Sequence, residues 1–74
     1  MSKIIEILRK AEDELDVITD WLCNEYDRLY GSGKIQEACL VSTIHDMIID
    51  VLVVINDYIK LLKRIEELKG RSED

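Results

Sequence analysis

Carboxylates are the side chains of this chain best suited to chemistry, and they gather in two places. Asp46, Asp50 and Asp57 recur at helical spacing beside the single histidine, His45. Upstream, Glu12, Asp13, Glu14, Asp16 and Asp20 form a second acidic group with no basic residue inside it. Hard divalent cations such as Mg2+ take several oxygen ligands, so Asp46, Asp50 and Asp57, with Asp16 and Asp20 across a hairpin and His45 alongside, are the candidate metal or nucleotide ligands. Asp50 stands out because Ile49, Val51, Val53 and Val54 surround it, an environment that partly desolvates a carboxylate. The ordinary fate of such a group is an ion pair, here with Arg9 or Lys10, and a run of acids is ordinarily a solvated helix face. No Glu stands three residues before His45 to make the Glu-x-x-His pair of di-iron bundles. A half-solvated histidine at a helix boundary is therefore expected.

The remaining inventory offers no nucleophile paired with a base and no Gly-rich phosphate loop after a strand. Catalytic residues are not assigned, and a binding role is expected over an enzymatic one. Trp21, Tyr26 and Tyr30 fall near the one turn and form a candidate partner patch. Cys23 and Cys39 lie almost symmetrically about that turn, where reduced thiols at a helix–helix contact are expected. A net charge of −6 argues against nucleic acid as a partner, because a polyphosphate needs a basic surface. Lys60, Lys63, Arg64, Lys69 and Arg71 do cluster, but Glu66 and Glu67 interrupt them. They complement a helix dipole near a C-terminus. Met1, Ser2 and Lys3 run straight into an amphipathic pattern, and the longest apolar run is too short to span a bilayer. Residence in the cytoplasm, with no membrane partner, is the expectation.

Helices must position these groups. Ser2 is a suitable cap for a helix over residues 3–30, in which Ile4, Leu8, Ala11, Leu15, Ile18, Leu22 and Leu29 recur at three- and four-residue steps broken only by Glu25. Gly31, Ser32 and Gly33 make the turn, with Gly31 expected in the left-handed conformation and Ser32 capping the next helix. The second helix, over 33–69, carries the seam Val41, Ile44, Ile48, Val51, Ile55, Tyr58, Leu62 and Ile65. Beside it run the row Leu40, Met47, Val54, Leu61, Leu68 and the flank Ala38, His45, Leu52, Ile59. Gly70 is expected to end it, leaving 70–74 as a frayed tail. So short a connection makes the helices antiparallel neighbours. The fold expected is thus all-α, one helical-hairpin domain over residues 1–74.

One partner helix buries a stripe and not a cylinder. Leu40, Met47, Ile49, Val53, Val54, Leu61, Ile65 and Leu68 cannot all face the first helix, and each left in water forgoes about 1.5–3 kcal/mol. That sum exceeds what so small a domain has in reserve. These residues are the candidate oligomer interface, and a homodimer or tetramer forming a four-helix or larger bundle is expected.

Two short segments resemble the motifs of all-α nucleoside triphosphate pyrophosphohydrolases of the MazG type. Asp46, Met47, Ile48, Ile49, Asp50, Val51 and Leu52 are similar to the second motif, and Glu12, Asp13, Glu14, Leu15 and Asp16 to the first. The sequence departs where Met47 stands in place of the Glu of a Glu-x-x-Asp, and the first motif's Glu-x-x-Glu is absent. The resemblance implies Mg2+-dependent hydrolysis. The residues themselves point first to a protein-interaction module or small regulator without a cofactor, binding itself and another protein.

Overall fold

The computed structural model describes the backbone of residues 2–73 and the side chains of residues 3–70. The cap expected at Ser2 and the residue Asp74 lie outside the described side chains. The chain forms two helices, α1 (Ser2–Gly31) and α2 (Ile35–Glu73), packed against each other as an antiparallel hairpin. Its Cα extents are 63 × 15 × 11 Å, so it is a long slab two helices wide.

The turn is built differently from the expectation. Gly31 stays helical, and Gly33 takes the left-handed conformation at φ +81°. The Lys34 amide donates to the Leu29 carbonyl at 2.9 Å and the Gly33 amide to the Tyr30 carbonyl at 3.1 Å. This pair of reverse bonds is a Schellman motif, and Gly33 sits where a Cβ is least tolerated. The Ser32 hydroxyl donates back to the Arg28 carbonyl at 2.8 Å, so it finishes α1 and does not cap α2. The Lys34 carbonyl accepts the first bond of α2, from the Ala38 amide at 3.0 Å. At the far end α2 runs through Gly70 to Glu73, past the stop expected at 70. A helical glycine costs about 1 kcal/mol against Ala but does not forbid the helix.

The contact between the helices also departs from the expected seams. On α1 the face toward α2 carries Ile5, Leu8, Leu15, Thr19, Leu22 and Leu29, while Ile4 and Ile18 are exposed. Thr19 is buried because its hydroxyl donates to the Asp16 carbonyl at 2.8 Å and needs no other partner. On α2 the inward face is Ala38, Val41, His45, Ile48, Leu52, Ile55, Ile59 and Leu62. Ile44, Val51, Tyr58 and Ile65, expected in that seam, are exposed instead. The best-formed cluster joins Ile5, Ile59 and Leu62, with Leu8 and Ile55 packed against it. Among the described residues no large side chain is fully buried. A two-helix slab has no centre deep enough to enclose one.

Candidate functional site

The exposed apolar side chains form a surface with a definite geometry. On α2, Leu40, Ile44, Met47, Val51, Val54, Tyr58, Leu61, Ile65 and Leu68 are all exposed and follow one another at alternating steps of four and three residues. That alternation is the heptad pattern of a helix–helix seam. On α1, Ile4, Ile7, Ile18 and Trp21 are exposed in a matching stripe, interrupted by Glu14.

Both stripes stand one residue before the inward-facing positions of their helix, a rotation of about 100°. Right-handed helices running in opposite directions turn such a displacement to the same side of the hairpin. The two stripes therefore make one apolar face. The displacement of one residue the other way gives Glu6, Arg9, Asp16, Asp20, Cys23 and Tyr30 on α1, with Cys39, Ser42, Asp46, Ile49, Val53, Asn56, Lys60 and Lys63 on α2, a row that carries most of the charges of the two. The slab is apolar on one broad side and charged on the other.

This geometry sorts the residues expected at an oligomer interface. Leu40, Met47, Val54, Leu61, Ile65 and Leu68 share the apolar face. Ile49 and Val53 lie on the charged side, between Asp46, Asp50 and Asn56. Ile44, Val51 and Tyr58 join the apolar face, and so do Ile4, Ile7, Ile18 and Trp21 from α1. The signal for the α2 members was already in the sequence, since the spacing from Leu40 to Leu68 has no polar interruption.

The acidic residues do not converge. Among the described residues no three His, Cys, Asp or Glu side chains form a group able to hold a metal ion. Asp46 shares the charged face with Asp16 and Asp20, whereas Asp50 and Asp57 point outward, away from α1. His45 is half-buried between the helices, and its Nδ1 lies 3.4 Å from Asp46 Oδ1, a long contact. Asp50 is exposed and forms no ion pair with Arg9 or Lys10. The antiparallel pairing that joins Ile5 to Ile59 and Leu62 puts Asp50 near the height of Val17, about two turns from either base. An ion pair does form within α1. The Arg28 guanidinium donates to the Glu25 carboxylate, and that hydrogen bond, with the added charge attraction, holds the Glu25 carboxyl below its ordinary value.

Tyr26 and Tyr30 stack with ring centroids 5.8 Å apart, so the aromatic patch near the turn exists in part. Trp21 points to the other side, onto the apolar face. Cys23 and Cys39 are free thiols and exposed, not held in the helix–helix contact expected for them. An open cleft of about 310 Å³ between the helices is lined by Leu22, Cys23, Tyr26, Asp27, Ser42 and His45. Cys23, Ser42 and His45 share this cleft, but among the described residues no hydrogen bond joins the thiol or the hydroxyl to the imidazole.

By length and composition alone, α2 over Ile35–Gly70 is sufficient to cross a membrane, and little of its most apolar stretch is buried in the hairpin. Asp46 and Asp50 stand near the middle of that stretch. A carboxylate at the centre of a bilayer costs about 2.5–3.5 kcal/mol. No family model, curated protein or solved structure matches the chain.

Proposed function

We propose that this chain is a protein-interaction module that works by self-association, its hairpins meeting through the apolar face in a four-helix bundle. One observation carries the reading: the apolar stripe of α2 has heptad spacing over its full length and no cover among the described residues. Such a stripe is the sequence and surface of a coiled-coil contact whose other half is missing. The face also has a suitable size. A slab 63 Å long and 15 Å wide presents roughly 900 Å², close to what each partner gives to a standard protein interface.

A protein surface suits this face better than lipid does. The charged side of the slab would follow α2 into any bilayer it crossed, carrying Asp13, Asp16 and Asp20 with it. Packing two apolar faces together leaves every one of those charges in water. The bundle then shows solvent an acidic exterior, with the stacked Tyr26 and Tyr30 at one end as a surface for a further protein. With its charges solvated, the module operates in the cytoplasm.

Sedimentation velocity over a range of concentrations, with and without lipid vesicles, tests this. A dimer or tetramer that forms in the micromolar range and ignores vesicles is the expected result. A monomer at every concentration, or a monomer that floats with vesicles, overturns it.

A further inference from the structure

The apolar face does not by itself say how two hairpins meet. We infer that the occupant is a second copy whose α2 lies antiparallel on this α2, in the register that sets Asp50 of one copy against Arg64 of the other. The inference rests on the self-association proposed above and adds the pairing, the direction and the register.

Pairing follows from the difference between the two stripes. The α2 stripe is apolar throughout, whereas Glu14 and the Glu25–Arg28 ion pair interrupt that of α1. Laying α2 on α1 of the second copy, with the two copies related by an axis along the bundle, would press Glu14 against Val51 and Glu25 against Leu40. Burying a carboxylate without a partner is costly. A two-fold axis across the bundle instead lays α2 on α2 and keeps that stripe free of charge. Between the two α1 helices it sets Ile4 near Ile18 and Ile7 near Glu14, and it leaves Glu25 beyond the end of the other α1, so one carboxylate per copy meets an apolar row in place of two.

Direction and register follow from charge and from the overlap of the apolar stripes. Between Glu37 and Asp57 the charges on α2 are all acidic, while Lys60, Lys63 and Arg64 follow them. Asp50 and Arg64 occupy equivalent positions on the outer edge of the stripe, and neither has an ion-pair partner among the described residues. Antiparallel pairing centred between Val54 and Tyr58 matches Val51 with Leu61 and Met47 with Ile65. It brings Asp50 opposite Arg64 twice per dimer, by symmetry, and faces Asp57 with its own copy across the axis. Sliding by one heptad in one direction would set Asp50 against Asp57 twice and leave Arg64 opposite Thr43. Sliding the other way would pair Asp57 with Arg64 but run Leu40 and Ile44 past the end of the other α2. Charge and apolar overlap together select the first register.

Charge exchange tests it. In Asp50→Arg or Arg64→Asp each attraction becomes a repulsion, and the dimer dissociation constant is expected to rise about tenfold. The double variant D50R/R64D restores both pairs, returning the constant to within about threefold of the parent. Oxidative cross-linking in a Cys23→Ser/Cys39→Ser background provides a second reading. A mixture of Val51→Cys and Leu61→Cys chains should cross-link, and neither alone should. A dimer in which the two charge changes add and do not cancel, or in which Val51→Cys cross-links to itself, overturns the register while leaving self-association standing. A parent protein that never dimerises overturns both.

Discussion

Val53 and Val54 are sequence neighbours with closely matched surroundings, and the structure assigns them opposite fates. Val53 is 55% exposed on the charged side of the hairpin, and Val54 is 64% exposed on the apolar face. Lysine at either position gains the same aspartates, since Asp50 and Asp57 stand three or four residues away from both. In an isolated hairpin the two variants, V53K and V54K, should each change stability by less than about 0.5 kcal/mol. In the proposed bundle they diverge. Val54 still has about two-thirds of its surface to bury, which is about 1–2 kcal/mol per copy. Removing an ammonium from water adds roughly 2 kcal/mol per copy even after the side chain bends toward the edge. Two copies then lose about 6–8 kcal/mol, or about four to six decades in dissociation constant. Sedimentation velocity reads the constant, and circular dichroism melts at several concentrations read the coupling of folding to assembly. V54K should be monomeric where V53K still assembles. Equal loss in both variants, or an intact assembly in V54K, would refute the assignment of faces.

The turn and the ion pair make two further predictions. Gly31→Ala should raise the melting temperature, by about 0.5–1 kcal/mol of stability, because the residue is helical and nothing lies within 4 Å of an added Cβ. Gly33→Ala should lower stability by about 1 kcal/mol or more, since φ there is +81°. Equal effects at the two glycines would contradict the Schellman geometry. In a carboxyl NMR titration Glu25 should protonate below its ordinary value of 4.5, and Arg28→Gln should return it there. Its folded carboxyl is the more acidic, so the stabilisation it supplies is complete above the unfolded value and fades as the pH falls through the folded one. A Glu25 titration unmoved by Arg28→Gln would remove that pair as the cause.

Much of this architecture is legible in the residue order. Two helices, one turn and an antiparallel hairpin follow from heptad spacing that misses once at Glu25 and stops near Gly31 and Gly33, because local periodicity and the absence of proline act within each segment. The excess of apolar surface on α2 is equally legible, since a helix apolar on most of its circumference needs more than one neighbour.

Which stripe faces which neighbour is another matter. On α1 the leucines at 8, 15 and 22 belong to two overlapping stripes, one completed by Ile4 and Ile18, the other by Ile5 and Thr19. Hydrophobicity alone favours the first, and the structure takes the second. The Schellman turn at Gly33 fixes the angle at which the chain re-enters, and Thr19 tolerates burial by bonding its own helix. The same rotation divides the α2 seam, sending Ile48, Ile55 and Leu62 inward and Ile44, Val51 and Tyr58 out. It separates Val53 from Val54, and it carries Asp50 away from Arg9 and Lys10. Spacing along a helix sets which residues share a stripe. Only the packing of one helix on another decides where that stripe points, because rotation about a helix axis leaves every local interaction unchanged.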